Sequence, residues 1–147
     1  MPDGTTGTRS ATAGCVDASL VVRILNADAF VLPVWERLVR LDGELIAPSL
    51  LHYEVANALY QQHRAGRVSA ELAALQLDRC LHLPIELHGD ARLHSRALEV
   101  AHEYRLPATY DAHYVALAER FRVALWTCDR RLAEEMRGES PEVHLVL

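Results

Sequence analysis

Gly14-Cys15-Val16-Asp17, followed from Ser19 by Leu20-Val21-Val22-Arg23-Ile24-Leu25, predicts a short buried strand that leads at once into a helix. Ser19 lies near the expected helix start, where its hydroxyl can accept a hydrogen bond from a free backbone amide. The same order returns at residues 44–47, a second apolar strand, and residues 50–64, a long helix. Strands that alternate with helices in this way favour an α/β fold around a mainly parallel sheet.

The rest of the chain continues this alternation. Pro48-Ser49 is expected to form the entry of the helix over residues 50–64. We expect a single domain over residues 15–147. Residues 1–14 are rich in Gly, Thr and Ser and lack an apolar stretch, so we expect a disordered tail there rather than a secretory signal.

Apolar periodicity predicts further helices over residues 35–41, 69–80, 90–104, 109–121 and 129–136, and strands over 82–87, 123–127 and 143–147.

The composition of the chain narrows the possible functions. The chain has 147 residues, of which 50% are apolar, and a formal net charge of −5. All 15 basic residues are Arg, so mechanisms that need a lysine amine are excluded, including Schiff-base chemistry and the lysine-dependent P-loop. The acidic balance argues against a protein that coats nucleic acid through bulk charge. The three cysteines lack C-x-x-C spacing, which favours a reducing cytosol, and no apolar run has the length of a membrane span.

Four acidic residues lie at strand ends or beside apolar helix faces. Asp17 and Asp129 follow predicted strands, at the carboxyl ends where open α/β sheets bind ligands. Glu54 and Asp111 border apolar helix faces, where an unpaired carboxylate would be costly to bury. Each residue alone also has a simpler explanation. Asp17 could form an Asx turn and Glu54 could pair with an arginine, while Asp111 and Asp129 could occupy favourable positions at helix N-termini.

The combination of these acids is more informative than any one of them. If the four carboxylates converge, their mutual repulsion in a partly dry site would cost several kcal/mol, which divalent cations would remove. A set of carboxylate oxygens without histidine or thiolate favours Mg²⁺ or Mn²⁺ over zinc. Such metals commonly hold a phosphate and activate water for in-line displacement.

Four segments, in order along the chain, resemble the motifs of the PIN-domain nucleases, and specifically of the VapC-type toxins of bacterial toxin–antitoxin pairs. The resemblance implies a three-layer fold with a central mainly parallel sheet flanked by helices. It also implies a cytoplasmic endoribonuclease toxin that depends on Mg²⁺, with Mn²⁺ as an alternative metal. The expected partners are an RNA substrate, an inhibitory antitoxin protein and a second copy of the chain in a homodimer. The segments are Val16-Asp17-Ala18-Ser19, Ala47-Pro48-Ser49-Leu50-Leu51-His52-Tyr53-Glu54-Val55-Ala56-Asn57-Ala58-Leu59, Tyr110-Asp111-Ala112-His113-Tyr114-Val115-Ala116-Leu117-Ala118-Glu119 and Leu125-Trp126-Thr127-Cys128-Asp129-Arg130-Arg131-Leu132.

By motif match, the resemblance implies that the four acids form the catalytic metal site. Asp17 and Asp111 would bind the metal directly. Glu54 and Asp129 would complete the site directly or through water. We hypothesise that metal-activated water attacks the phosphate in line, which would leave a 3′-hydroxyl and a 5′-phosphate.

Neighbouring polar residues would support this site or bind the substrate. Ser19 and Thr127 occupy the small hydroxyl positions that the resemblance places beside the metal. Arg130 and Arg131 follow the last acid and could bind RNA phosphates close to the metal.

The aromatic residues beside two of the acids allow two interpretations. Tyr53 precedes Glu54, and Tyr110 precedes Asp111. Each tyrosine could stack on an RNA base, or it could pack along a helix face. His52 and His113 also flank the motif acids, but the sequence lacks the paired histidine spacing of a zinc site.

Two other classes of protein remain to be weighed. Response-regulator receivers and haloacid dehalogenase-like phosphatases also gather acids at strand ends, but both rely on a lysine that this chain lacks. A non-catalytic PIN-fold module that binds protein is the alternative function, which loss of one of the four acids would have indicated. The identity of the RNA target stays open, since specificity depends on loop shape and RNA folding.

Overall fold

A five-stranded sheet forms the centre of the fold. The structure, a computed structural model, describes residues 12–147. Its strands lie in the order β3-β2-β1-β4-β5, and every neighbouring pair is parallel. The predicted α/β fold with a mainly parallel sheet is therefore confirmed. The strands are β1 (Thr12–Val16), β2 (Glu44–Pro48), β3 (Ile85–His88), β4 (Leu125–Thr127) and β5 (Val143–Leu145).

Helices flank this sheet. Helix α1 packs on α3, α3 packs on α4, and α5 packs on α6, which lies against β1 and β2. Across residues 12–147, none of the helices combines the length and the apolarity that a membrane crossing requires. The helices are α1 (Ala18–Leu25), α2 (Leu32–Arg40), α3 (Leu50–Arg64), α4 (Ala70–Leu81), α5 (Ala91–Glu103), α6 (Thr109–Phe121) and α7 (Arg130–Glu135).

The central strand β1 places the start of α1 beside the end of β4. Cys15 of β1 pairs with Ile46 of β2 on one side and with Leu125 of β4 on the other. Cys15 and Val16 are fully buried, as expected for a parallel strand with both faces covered. Because β1 and β4 are adjacent and parallel, the residues that follow them emerge at the same edge of the sheet.

The sheet begins earlier than the sequence predicts. Thr12 pairs with Glu44, and Gly14 pairs with Leu45. The predicted boundary between a tail over residues 1–14 and a domain over 15–147 is therefore wrong by three residues, and residues 1–11 lie outside the described part of the chain. Small side chains conceal this strand from periodicity arguments. At Gly14 a Cβ atom would lie 3.0 Å from Trp126 Nε1, so any larger residue there would push against the Trp126 ring.

Two further boundaries differ from those predicted. Pro48 is the last residue of β2, paired with His88 of β3, and does not form the helix entry. Strand β3 covers Ile85–His88 rather than residues 82–87, because the backbone amide of His82 still bonds to carbonyls of α4. In both cases hydrogen bonds across the fold, which local propensity does not register, set the end of the element.

Two leucines on α5 provide a test of how this helix is held. Leu93 is 1% exposed and belongs to the core, whereas Leu98 is 55% exposed. Leu93→Ala should lower the free energy of unfolding by about 2–5 kcal/mol, because it leaves a cavity. Leu98→Ala should change it by less than about 0.5 kcal/mol. Urea denaturation measures both, and equal effects would contradict the packing described here.

Candidate active site

Asp17 is buried at the carboxyl end of β1, where it is only 6% exposed. Its Oδ1 atom accepts hydrogen bonds from the Ser19 hydroxyl at 2.7 Å and from the Leu20 amide at 3.1 Å, so Asp17 rather than Ser19 caps α1. Its Oδ2 atom accepts a hydrogen bond from the Thr127 hydroxyl. Three donors therefore hold the carboxylate in one orientation.

The two hydroxyls connect Asp17 to the segment after β4. Ser19 Oγ accepts the Cys128 amide at 2.9 Å, and Thr127 Oγ1 accepts the Asp129 amide at 2.9 Å. Since each hydroxyl oxygen accepts a hydrogen bond from a backbone amide, its own O–H is free to donate to Asp17. This relay of backbone amide, hydroxyl and carboxylate joins the ends of β1 and β4. Ser19 and Thr127, which the sequence analysis placed in supporting positions, thus hold the Asp17 carboxylate by hydrogen bonds.

Glu54 lies on α3 and contacts α6 through a hydrogen bond. Its Oε1 atom accepts the Tyr114 hydroxyl proton at 2.8 Å, and Tyr114 is 2% exposed. Burial and the nearby carboxylate raise the pKa of Tyr114, which keeps this hydroxyl protonated and able to donate. The partner of Glu54 is therefore a tyrosine and not the arginine that one interpretation of the sequence offered.

Asp111 lies in the first turn of α6, opposite the start of α7. Its Oδ2 atom accepts a hydrogen bond from Arg131 Nη2 at 2.9 Å. The same Nη2 atom lies 3.8 Å from Asp129 Oδ2. Asp129 itself caps α7 by accepting the amides of Arg131 and Leu132. One guanidinium thus lies between two of the predicted metal-binding acids.

Burial is the main cause of the raised pKa values of Asp17 and Glu54. It raises the pKa of Asp17 to about 6, and the charge of Asp111 adds to the shift, while the hydrogen bonds from Thr127, Ser19 and Leu20 oppose it. Burial likewise raises the pKa of Glu54, against the hydrogen bond from Tyr114, and the charges of Asp111 and Asp17 add to it. These carboxylates are near enough to repel one another.

The same electrostatics extend to the start of α7. Burial raises the pKa of Asp111, the charge of Asp129 adds to the shift, and the guanidinium of Arg131 opposes it. Glu135 raises it further. The four acids that the sequence singles out therefore interact as one cluster, at the edge of the sheet where β1 and β4 end.

The donor set of this cluster fits a hard divalent cation in its chemistry, since it consists of carboxylate oxygens. As the side chains are placed, however, no three His, Cys, Asp or Glu residues within 12–147 lie close enough together to hold a metal ion. Arg131 is the counter-ion of Asp111 in this arrangement. A metal ion would have to compete with that guanidinium.

Three residues are placed in ways that the motifs did not predict. Arg130 lines a cavity along α7 and β5 with Glu134 and His144. Tyr114 and Glu135 belong to the cluster but were missed. Their spacing was informative, because Tyr114 follows Asp111 by three residues and Glu135 follows Arg131 by four, which places each pair on one helix face.

The PIN domain family model matches residues 14–135 of the chain, and so includes all four acids. The chain belongs to the PIN domain family. Ribonuclease VapC3 of Pyrobaculum aerophilum is 35% identical over 68% of this chain and 77% of its own length. This PIN domain thus has a named ribonuclease among its relatives.

Solved structures support the same assignment of the fold. The crystal structure of PAE2754 from Pyrobaculum aerophilum is 30% identical and has a TM-score of 0.66, covering 88% of this chain and 90% of that one. A toxin–antitoxin complex from Klebsiella pneumoniae contains a chain with a TM-score of 0.64 and 16% identity, covering 89% of this PIN domain and 95% of that chain. At 16% identity, the likeness to the chain from Klebsiella pneumoniae shows the fold alone.

Asp17 should destabilise the metal-free PIN domain at neutral pH. The folded protein keeps a proton on Asp17 up to a pKa of about 6, whereas the unfolded chain releases it near 3.8. Stability contributed by this group is therefore lost as pH rises through that window. Asp17→Asn should raise the free energy of unfolding by about 2–3 kcal/mol near pH 7, and the gain should vanish below about pH 4.

This stability prediction is measured by urea denaturation in EDTA at both pH values. Asp42→Asn is the matched control, because Asp42 lies in an exposed turn between α2 and β2. A loss of stability in Asp17→Asn near pH 7 would show that the hydrogen bonds to Asp17 outweigh its desolvation.

Proposed function

We propose that this PIN-domain chain is a Mg²⁺-dependent endoribonuclease and the toxin of a toxin–antitoxin pair. The observation that carries the proposal is the mutual electrostatic influence of Asp17, Glu54, Asp111 and Asp129 at the carboxyl edge of the sheet. A cluster of this kind is unfavourable by itself, so it favours a function that brings positive charge to it. The related ribonuclease VapC3 supports RNA as the substrate.

Asp17 and Asp111 are the proposed direct ligands of the metal. Asp17 is held in place by its three hydrogen-bond donors, so it needs little reorganisation on binding. Asp111 is 21% exposed in its side chain and can exchange its arginine partner for a cation. Glu54, fixed by Tyr114, and Asp129, fixed by the amides of α7, would complete the site directly or through water.

When bound, Mg²⁺ supplies Lewis-acid activation of water and of the phosphate; Mn²⁺ is the alternative ion. The chain's own residues position the reactants. The hydroxyls of Ser19 and Thr127 orient Asp17, and the first turn of α6 presents Asp111. Arg131, once released from Asp111, would be close enough to contact an RNA phosphate.

An inhibitory antitoxin, a second copy of the chain and a cytoplasmic location complete the proposal. The antitoxin is supported by the VapC name of the ribonuclease relative and by the toxin–antitoxin complex that shares the fold. Homodimer formation is an expectation from the family. A cytoplasmic location would give the enzyme access to its RNA substrate.

A non-catalytic module that binds protein is the alternative function. The retention of all four acids favours the enzyme, because a binding module would not need to keep a buried Asp17 with a raised pKa. The relay from the Cys128 and Asp129 amides to this carboxylate supports the same choice.

Substitution of the proposed ligands should abolish RNA cleavage without unfolding the protein. Substitution of residues that merely hydrogen-bond to metal ligands costs about 10- to 100-fold in activity. Loss of a ligand itself, in Asp17→Asn or Asp111→Asn, should therefore lower the cleavage activity at least about a hundredfold. On induction in a bacterial host, the wild type should arrest growth and create discrete RNA ends with 5′-phosphates. Sequencing of 5′ ends detects them, and neither variant should produce them.

The control for this experiment is again Asp42→Asn, which should behave as the wild type. Addition of EDTA to the purified enzyme should stop cleavage, and Mg²⁺ should restore it. Equal behaviour of the wild type and both ligand variants, with all proteins folded, would favour the binding module instead.

Arg131→Gln should strengthen the binding of Mg²⁺ and weaken the binding of RNA. Because its guanidinium holds Asp111, Arg131→Gln should strengthen Mg²⁺ binding by a factor of about 2 to 5, the range of a partly exposed ion pair. The same change should raise KM for RNA. Calorimetric titration with Mg²⁺ measures the first effect, with Arg130→Gln as the neighbouring control. Unchanged Mg²⁺ affinity in Arg131→Gln would contradict competition between the arginine and the metal.

A further inference from the structure

A cavity opens beside the acidic cluster and is not part of it. Its volume is about 360 Å³. We call it the tyrosine pocket, after two of its lining residues. The residues that define it are Leu50, Tyr53, Gly89, His94, Tyr110 and His113.

The tyrosine pocket lies at the same edge of the sheet as the acids. Its lining comes from the end of β2, from the segments that follow β2 and β3, and from the N-terminal parts of α3, α5 and α6. Tyr53 directly precedes Glu54, and Tyr110 directly precedes Asp111. On α6, Asp111 and Tyr114 share the face toward the acids, while Tyr110 and His113 share the adjacent face. The pocket and the cluster are thus neighbouring parts of one surface.

The exposure of the two tyrosines indicates a binding surface. Tyr53 is 77% exposed and Tyr110 is 60% exposed, although both rings line a cavity. The lining of the pocket includes no Arg, Asp or Glu. It therefore offers aromatic faces and no charge partner for a phosphate, which suits a planar, uncharged group attached to a charged backbone.

Two histidines at the pocket form a hydrogen-bonded pair with a fixed direction. His113 Nδ1 lies 2.6 Å from the Thr109 carbonyl oxygen, which can only accept, so Nδ1 carries a proton. In the neutral ring, Nε2 of His113 then accepts from Nδ1 of His94, at 2.8 Å. This leaves Nε2 of His94 as an acceptor. Every RNA base carries N–H groups on its pairing edge that could donate to such an atom.

The backbone shape of the pocket also depends on one glycine. A Cβ atom at Gly89 would lie 3.1 Å from Ser49 Cβ and would clash with its hydroxyl oxygen. The Ser49 amide donates to the His88 carbonyl at 2.8 Å, which holds the two segments together. The floor of the pocket is therefore fixed by close contact between the ends of β2 and β3.

We infer that the tyrosine pocket binds a nucleobase of the RNA beside the scissile phosphate, by stacking on Tyr53 and Tyr110. The inference rests on the proposed function, since it deepens the account of how RNA reaches the acids. It assigns these tyrosines a role in binding and leaves the hydrolysis to the acids. Base stacking of this kind tolerates different sequences, because every base has an aromatic face.

The test compares two strands of equal length and charge. One is a short single-stranded RNA, and the other is the same ribose-phosphate strand without bases. Fluorescence anisotropy in EDTA measures the affinity of each without cleavage. The wild type should bind the strand with bases about tenfold more tightly, as expected for one stacked base. Repulsion by the acidic cluster affects both strands equally and cancels.

Substitutions test whether the two tyrosines cause the preference for the strand with bases. Tyr53→Ala and Tyr110→Ala should remove most of the tenfold preference, whereas Tyr53→Phe and Tyr110→Phe should keep it because the ring remains. Tyr60→Ala is the matched control, since Tyr60 is 57% exposed on the same helix as Tyr53 but lines a different groove. Circular dichroism confirms that each variant is folded.

Two outcomes would overturn the inference. The first is equal affinity of the wild type for both strands, including no measurable affinity for either. The second is an unchanged preference in both alanine variants. If those variants also lose antitoxin binding, the second outcome would assign the pocket to the protein partner.

The outcome for the pocket is separable from the outcome for the enzyme. Discrete RNA cleavage without a preference for bases would remove only the present inference. A preference that depends on Tyr53 and Tyr110, in a protein that cleaves no RNA, would leave the base site standing and would remove the proposed catalytic function.

Discussion

The structure depends on a carboxylate kept inside the edge of a parallel sheet. Asp17 is buried at the end of β1, and burial alone would favour its neutral form. The hydroxyls of Ser19 and Thr127 oppose this by donating hydrogen bonds. Both hydroxyl oxygens also accept hydrogen bonds from backbone amides of the segment after β4. The hydrogen bonds that orient this carboxylate are therefore also part of the packing of β4 on β1.

The remaining acids show why such a site is costly in the absence of added cations. Burial and neighbouring charges raise the pKa of Glu54 and Asp111, which means that the fold works against their ionisation. Arg131 supplies a positive charge from within the chain, but it is 53% exposed in its side chain and bound to Asp111 mainly through one nitrogen. A partner of this kind is easily exchanged, since exposed ion pairs are weak. The cluster is thus stabilised enough to fold and is still able to accept a stronger cation.

Much of this arrangement follows from the sequence, because strands followed directly by acids predict where the acids emerge. The order of strands and helices, and the positions of Asp17 and Asp129 after β1 and β4, depend only on local pattern and on the rules of parallel sheets. The pairing of Glu54 with Tyr114 does not, since the two residues are 60 positions apart and meet only when α3 packs near α6. The start of β1 at Thr12 was missed for a related reason, as its small residues are held by neighbouring strands rather than by their own apolarity.

Helix α6 explains how the acidic cluster and the tyrosine pocket can share so small a surface. Its first turn carries Tyr110, Asp111 and His113 in close succession, and the helical repeat turns them toward different neighbours. Asp111 meets Arg131 of α7, while His113 meets His94 of α5. The N-terminal end of α6 therefore has one face on the acids and another on the tyrosine pocket. Movement of this turn would displace both faces together, so the packing of α6 on β1 and β2 fixes the distance between the tyrosine pocket and the carboxylates. A rigid helix that lies between two sites sets their spacing more reliably than a loop would.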